Sequence, residues 1–510
     1  MTITTPMPSN ESPGRDRTEI SSQDLELLRD GSPEQQLKVL RQAARSHRFP
    51  DPLVLQDALR SSSPEVRASA AWCARIGGDV RLVPALVLHL KDSSPAVRAV
   101  AAETLAELGD PRAVPALIET LQDTDVPVRM HAAWALWYLN ATEAHGALVP
   151  LLQDADARVR VAAVTAVGRF HGPGDLALLL HALQDPSDRV RRAAILALRH
   201  VRGTGVAEQV RPFLSDPAER VRIAASVALG ELKDTEAVPL LLERWDLEET
   251  FVHPSLLIAL AKIGDRRAVP LFLRAVRVSQ PWTVICALWA LGSLRVAEGR
   301  EEILRLTASP TRGVRAAALE NLGRLGDLRD LGKLEETLQD RNPWIRRGAA
   351  LGLGHLGAVD ARPSLVAALS DPDLEVRLAA AWALGNLKDD RALEPLLELL
   401  EKVALPMAAR QGTPLGPGEE PEAAIQEGGG AVRLVSDARE TLLDAVLLSL
   451  AKLGGTPAGA KALERAQQAL LLLPEDLRRL PARLPQAEGP RRGEGLTREH
   501  LARGFWAQEG

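Results

Sequence analysis

The chain has 510 residues, of which 46% are hydrophobic but only 3% aromatic, and its formal net charge is −5. A core built mainly from Ala, Leu and Val favours helices, because Ala and Leu are strong helix formers and Phe, Tyr and Ile are scarce. The nearly balanced charge gives no electrostatic reason to expect binding to phosphate backbones or anionic membranes.

The N-terminal segment, residues 1–20, lacks the apolar stretch of a secretory signal, so we predict a disordered tail and a cytoplasmic protein. No run of about 18 uncharged apolar residues occurs, so no membrane partner is expected. Residues 22–60 have the pattern of an atypical helical pair, as expected for the capping unit of a repeat protein.

From residue 66 onward the dipeptide Val-Arg, or a close relative of it, returns every 31 residues through eleven repeats. We call the first residue of this dipeptide the Val position; it is occupied by Val66, Val97, Val128, Val159, Val190, Val221, Val252, Thr283, Val314, Ile345 and Val376. An unbroken period of this length indicates structural units that stack on one another.

The repeat at residues 97–127 illustrates the unit. Its apolar residues return at the spacing of one helical face, and Gly109 supplies the left-handed residue that ends a helix. A second helix is predicted to begin near Pro115, and Asp123 closes the unit. Residues 21–473 therefore predict an all-α solenoid of about 12–13 helical hairpins.

The consensus D-x-x-x-x-V-R-x-x-A-A-x-A-L-G-x-L-G-D, visible in ALGELKD (228–234) and AWALGNLKD (381–389), resembles HEAT repeats of the short bilin-lyase type. The resemblance covers residues 35–400. It implies a right-handed α-α superhelix in which the Val-Arg helix lines the concave face. It implies no single activity, because solenoids of this kind serve many functions.

After Val376 the phase breaks, and Leu442 occupies the next Val position. Residues from about 404 to 437 are rich in Gly, Pro and Glu, which predicts a loop insertion that is either a flexible connection or a binding segment. Residues 474–510 alternate Pro, Arg and Glu and are predicted to be a C-terminal tail.

The Asp that closes one repeat lies six residues before the Arg of the next. Such an Asp can cap the next helix, pair with Arg in a ladder along the solenoid, or do both. The predicted ladder comprises Arg98, Arg129, Arg160, Arg191 and Arg222 with Asp92, Asp123, Asp154, Asp185 and Asp216. Either role is structural.

Residues that could meet a partner lie 2, 6, 9 and 13 positions after the Val position, where the helical period turns them away from the core. The position six residues after it carries four of the nine tryptophans and two acidic residues: Trp72, Trp134, Trp289, Trp382, Glu103 and Glu320. The position nine residues after it is often Gly, with Trp137 in one repeat. This predicts an apolar groove with Trp anchors for a protein partner. Alternatively, the tryptophans pack against neighbouring repeats as an extension of the core.

Charged residues at these groove positions are few and mixed, with Arg75, Arg192, Arg199 and Arg347 against Glu103 and Glu320. They form no continuous basic stripe, which argues against a nucleic-acid partner.

The sequence carries no pattern typical of an enzyme. None of the ten histidines is followed by Glu, whereas the helical-repeat hydroxylases that this architecture resembles hold iron with His-Glu pairs. No metalloprotease, nucleotide-loop or CxxC motif occurs. Cys73 and Cys286 fall on apolar helix positions and are expected to act as small hydrophobes. No metal and no cofactor are predicted.

These observations favour a non-enzymatic scaffold that binds a segment of a partner protein in its groove. A bilin lyase or related pigment-handling enzyme is one alternative, suggested by the repeat type alone. A nucleic-acid-binding HEAT-like protein is the other.

Overall fold

The computed structural model describes residues 22–46, 52–170, 172, 174–201, 205–409 and single positions between 442 and 465. Helices dominate these residues, and no strand occurs among them, which confirms the predicted all-α solenoid of helical hairpins. The two predicted tails lie outside the described residues. The predicted insertion does too, except for residues 404–409, which continue a helix.

The chain divides into two compact units, residues 1–268 and 269–510. The helices of the first unit are α1 (Ser22–Asp30), α2 (Pro33–Ser46), α3 (Pro52–Leu59), α4 (Pro64–Gly77), α5 (Val83–His89), α6 (Pro95–Leu108), α7 (Val114–Thr120), α8 (Val126–Tyr138), α9 (His145–Leu148), α10 (Ala157–Phe170), α11 (Asp175–Ala182), α12 (Asp188–Leu198), α13 (Val206–Val210), α14 (Glu219–Glu231), α15 (Val238–Leu247) and α16 (His253–Ile263). Those of the second are α17 (Val269–Ala275), α18 (Pro281–Ser293), α19 (Arg300–Leu306), α20 (Arg312–Leu325), α21 (Leu331–Thr337), α22 (Pro343–Leu356), α23 (Arg362–Ala368), α24 (Leu374–Leu387) and α25 (Leu393–Ala409).

Each repeat of the sequence is one hairpin. The even-numbered helices from α4 to α24 contain the Val positions, except that Val252 immediately precedes α16, and we call them the first helices. The odd-numbered helices from α5 to α25 are the second helices. The N-terminal cap consists of three helices, α1 to α3, where the sequence predicts a pair.

Local sequence explains where the helices begin and end. In the repeat at residues 97–127, Pro95 opens α6, in a first turn where the missing N–H costs nothing. Gly109 ends α6 with φ of 71°, in the left-handed region that L side chains rarely adopt. A 3-10 turn at Pro111–Ala113 then leads into α7, and the Asp110 side chain caps this turn by accepting the N–H of Arg112. The second helix therefore begins at Val114, one residue before the predicted Pro115.

Within each unit the first helices approach one another closely at glycine. A Cβ on Gly230 would lie 2.7 Å from the Cα of Ala259, and one on Gly354 would lie 2.7 Å from the Cα of Ala383. A Cβ on Gly323 would collide with the carbonyl oxygen of Gly352. The glycines nine residues after the Val position are thus buried between repeats. The prediction that they line the groove is wrong, because they face the next first helix and not solvent.

Candidate functional site

The predicted Asp and Arg residues form bidentate pairs in successive repeats of the first unit. Arg98 donates from Nε to Asp123 Oδ2 at 2.6 Å and from Nη2 to Asp123 Oδ1 at 2.8 Å. Its Nη1 donates to the backbone oxygen of Asp92 at 2.8 Å. The same pairing recurs in Arg67–Asp92, Arg129–Asp154, Arg160–Asp185 and Arg191–Asp216, with Glu248 as the acid for Arg222, and in Arg346–Asp371 of the second unit. Each Arg thereby ties its own hairpin to the preceding one.

The same aspartates also shape the turns. Asp123 Oδ1 accepts the backbone N–H of Asp125 at 2.8 Å, so the capping and ladder roles coexist. The side chains of Arg98 and Asp123 are only 13% and 12% exposed. Hydrogen bonds from Arg67 hold the pKa of Asp92 below its ordinary value, and the pairing raises the pKa of Arg67 in turn. Largely buried charge pairs of this kind depend on both partners.

The ladder is interrupted where the Arg is replaced. His253 stands in its place in α16, where its ring stacks on Trp245 with centroids 3.8 Å apart. Val284 stands there in α18. In α20, Nε of Arg315 is buried and has no hydrogen-bond partner among the described residues. Consecutive repeats with a bidentate Arg–acid pair therefore occur mainly in the first unit.

Solvent reaches the first helices at the residue before the Val position and at the residues 2, 6 and 10 positions after it. It also reaches the residue nine positions after it where that residue is large, as at Arg75, Trp137 and Arg199. We call this surface the first-helix face. The position thirteen residues after the Val position is not part of it, although the sequence predicts so. That position lies beyond the helix, where Asp79 and Asp110 cap 3-10 turns.

Three of the predicted tryptophans lie on the first-helix face of the first unit. Trp72 is 37% exposed, whereas Trp134 and Trp137 are half-buried. The rings of Trp134 and Trp137 meet edge to face with centroids 5.6 Å apart. The guanidinium of Arg169 lies 4.9 Å from the Trp137 ring centroid, and that of Arg75 lies 5.7 Å from the ring of Trp72. Both distances suit cation–π attraction.

Charged groups connect these aromatic residues. Arg75 Nη1 binds Glu103 Oε1 at 2.5 Å and Glu107 Oε1 at 3.1 Å. Burial raises the pKa of Glu107. Burial also lowers the pKa of His131 despite the opposing charge of Glu103, so its imidazole is neutral near pH 7. This part of the face is partly shielded from water, and its acidic groups are already paired.

In the second unit the remaining predicted residues are more enclosed. Trp289 is half-buried. Trp382 meets the ring of His355 at 4.8 Å, and Nζ of Lys452 lies 5.2 Å from its centroid. Glu320 binds Arg324 at 2.7 Å and lies 3.6 Å from His355 Nε2. Burial works to raise the pKa of Glu320, but His355 and Arg324 outweigh it and lower the pKa to about 2.

The two interpretations of the tryptophans therefore each hold in part. Trp134, Trp137 and Trp382 are half-buried and pack against the core, and Trp289 is half-buried too. Trp72, in contrast, is exposed and presents a large apolar surface to solvent. A face that combines half-buried aromatic rings with adjacent cations can hold a partner without unfolding any part of the repeat.

The helical pattern also missed two exposed positions of the face. The residue before the Val position is Arg158, Arg189 and Arg220 in three successive repeats, and the last two are exposed with no carboxylate partner in the described part of the chain. Ten residues after the Val position, Tyr138 is 43% exposed. The repeat register marks the three arginines, since they recur at a period of 31, whereas Tyr138 is the only Tyr of the chain and has no such signal.

No arrangement for catalysis is evident in the residues that the structure covers. Among them, no group of three or more His, Cys, Asp or Glu side chains could hold a metal ion. Burial raises the pKa of both Cys73 and Cys286 to about 12, which leaves their thiols protonated and unreactive. None of the described helices is long and apolar enough to cross a membrane.

Several solved structures are similar to this chain. YibA of Escherichia coli is 19% identical, with a TM-score of 0.41, over 52% of this chain and 98% of that one. The CpcE–CpcF complex of phycocyanin lyase from Nostoc sp. PCC7120 is 24% identical, with a TM-score of 0.32, over 48% and 94%. Yeast importin-beta is 14% identical, with a TM-score of 0.45, over 88% and 68%. None is similar enough to transfer a function.

No curated protein matches the sequence. The family model for HEAT repeats, in contrast, matches residues 52–136, 114–199, 176–253, 207–285, 283–351 and 331–404, which together span more than half of the chain. Together these matches cover the hairpins of 31 residues from α3 into α25. The chain therefore belongs to the HEAT-repeat family.

Proposed function

We propose that this protein is a non-enzymatic scaffold that binds a segment of a partner protein on the first-helix face of its first unit. The observation that carries the proposal is the group of Trp72, Trp134 and Trp137, which remain partly open to solvent on a surface otherwise held rigid by the ladder. Tryptophan is enriched among the residues that dominate binding energy at protein interfaces.

The rigidity of the face supports this proposal. Each ladder Arg pairs with the Asp that closes its own hairpin and donates to the backbone oxygen of the Asp that closes the preceding hairpin, so little conformational freedom remains to be lost when a partner binds. Helical repeats also offer a long surface in which each unit needs only its neighbours for stability. A half-buried Trp with a neighbouring cation is therefore positioned before the partner arrives.

The test measures the binding of proteins from the source organism to the full chain, comparing wild type with Trp134→Ala/Trp137→Ala. Loss of an interface anchor costs about 2 kcal/mol, which corresponds to roughly 30-fold weaker binding. The matched control is Leu88→Ala, because Leu88 is 75% exposed but lies on a second helix.

Because Trp134 and Trp137 also contribute to packing, Trp72→Ala serves as a second variant at a more exposed position. Circular dichroism establishes that each variant is folded. The proposal expects both tryptophan variants to lose partners that the Leu88→Ala protein retains. An identical set of partners at unchanged affinity in all four proteins would show that the tryptophans are not a binding surface.

A further inference from the structure

The first-helix face changes character between the third and fourth repeats of the first unit. The repeats at Val66, Val97 and Val128 present the tryptophans and the acidic Glu103 and Glu107. The next three repeats present arginines: Arg158, Arg169, Arg189, Arg192, Arg199 and Arg220. A basic region this dense is unexpected on a chain whose formal net charge is −5.

Most of these arginines are not neutralised. Arg158 pairs with Asp156 at 2.9 Å. The other five have no carboxylate partner in the described part of the chain, and four of them are exposed. Arg189 and Arg191 make the contrast clear, because they are two residues apart on α12. Arg191 forms a bidentate pair with Asp216, whereas Arg189 is turned to solvent.

Apolar side chains lie between these cations. Val161, Leu196, Ile223 and Val227 occupy the positions two and six residues after the Val position, and all four are half-buried. Apolar contacts and charge–charge contacts are thus available within the same three repeats. A ligand that fits this surface must supply both carboxylates and apolar groups.

The spacing of the arginines indicates the form of that ligand. Packed helices lie about 8–10 Å apart, so Arg158, Arg189 and Arg220 recur at roughly that interval along the face. An extended peptide advances about 3.3 Å per residue, so every third side chain recurs at about 10 Å. An acidic residue at every third position would meet successive arginines, and guanidinium binds carboxylate in a bidentate way.

A protein segment fits better than single-stranded nucleic acid. Nucleic acids bind such grooves by stacking bases on aromatic side chains. The face positions of these three repeats carry Thr165, Leu196 and Val227 six residues after the Val position, and no Phe, Tyr or Trp elsewhere. The half-buried aliphatic residues match Leu or Val of a peptide instead.

We propose that the first-helix face of the repeats at Val159, Val190 and Val221 binds an extended segment of a partner protein with an acidic residue at about every third position and apolar residues between. This inference rests on the proposed function and names the chemistry of the partner. The basic region lies beside the tryptophan group within the same unit, so one segment could use both.

The test selects binders to the full-length chain from a displayed library of random peptides about twelve residues long, an ample length for an extended ligand. Selected peptides are then measured by fluorescence anisotropy against wild type and against Arg189→Gln/Arg192→Gln/Arg220→Gln. The matched control is Arg41→Gln/Arg45→Gln/Arg60→Gln, which removes the same charge from exposed positions of the N-terminal cap, on α2 and in the turn after α3.

The expected result is enrichment of acidic and apolar residues, with binding roughly ten-fold weaker for the variant of the face and unchanged for the control. Selected peptides without acidic preference, or equal weakening by both variants, would overturn the inference. So would a single-stranded oligonucleotide that binds through the same arginines more tightly than the peptides do. Binding that depends on Trp134 and Trp137 but not on the arginines would overturn this inference and leave the proposed function standing.

Discussion

Replacing Gly323 by Ala should destabilise the second unit, although alanine is the better helix former. Gly323 lies inside α20, and the added Cβ would collide with the backbone oxygen of Gly352 in α22. A backbone atom cannot move aside by changing rotamer, so the two helices must separate. Overpacking costs about 1–3 kcal/mol and the upper end applies here, while the gain in helix propensity is about 1 kcal/mol. The net loss is about 2 kcal/mol.

The matched control is Gly332→Ala in α21, where a Cβ would meet no atom within 4 Å. This variant keeps the propensity gain without the collision and should be equally stable or up to about 1 kcal/mol more stable. Urea denaturation of the full chain, followed by circular dichroism, measures the difference in midpoint. Equal midpoints for the two variants would refute the account of how the first helices pack.

Three further predictions concern the ladder and the thiols. Asp123→Asn should lower the free energy of unfolding by about 1–3 kcal/mol in urea denaturation, because it leaves the largely buried Arg98 without its anionic partner; a change near zero would mean that the pair is merely a surface contact. The folded-state pKa values of Asp92 and Asp123 are lowered, so the ladder should contribute stability above about pH 4 that is lost as the pH falls through those values. Urea midpoints measured from pH 7 down to pH 3 should therefore fall less in Asp123→Asn than in wild type. Cys73 and Cys286 should react with a thiol reagent only on unfolding, because burial raises both pKa values to about 12; rapid labelling of the native chain at pH 8 would contradict their burial.

Much of the fold could be predicted from register alone. The period of 31 residues places every first helix and brings out both members of the ladder. The spacing of six residues from each Asp to the next Arg corresponds only to a bond with the Asp backbone oxygen, whereas the side chains pair each Arg with the Asp 25 residues after it. The ladder is predictable because both partners lie in fixed positions relative to helix ends that Gly and Pro mark. The pairing of Arg222 with Glu248 could not be predicted, because a Glu there breaks the Asp pattern.

The face was harder to predict than the fold. A helical period distinguishes one buried side of a helix from its opposite side, but a stacked first helix has neighbours on two more sides. Gly230 and Gly354 therefore look like groove residues on a helical wheel, although they contact the next repeat. For the same reason the exposed Arg189 and Arg220 fall outside the predicted groove.

Site-specific photo-crosslinking in the source organism tests most directly whether the first-helix face of the first unit binds protein. A photoreactive residue would replace Tyr138 or Leu196 on that face, or Leu88 on a second helix as the control. We expect protein adducts from Tyr138 and Leu196 and none from Leu88. Adducts from Leu88 alone, or at equal yield from all three positions, would contradict it.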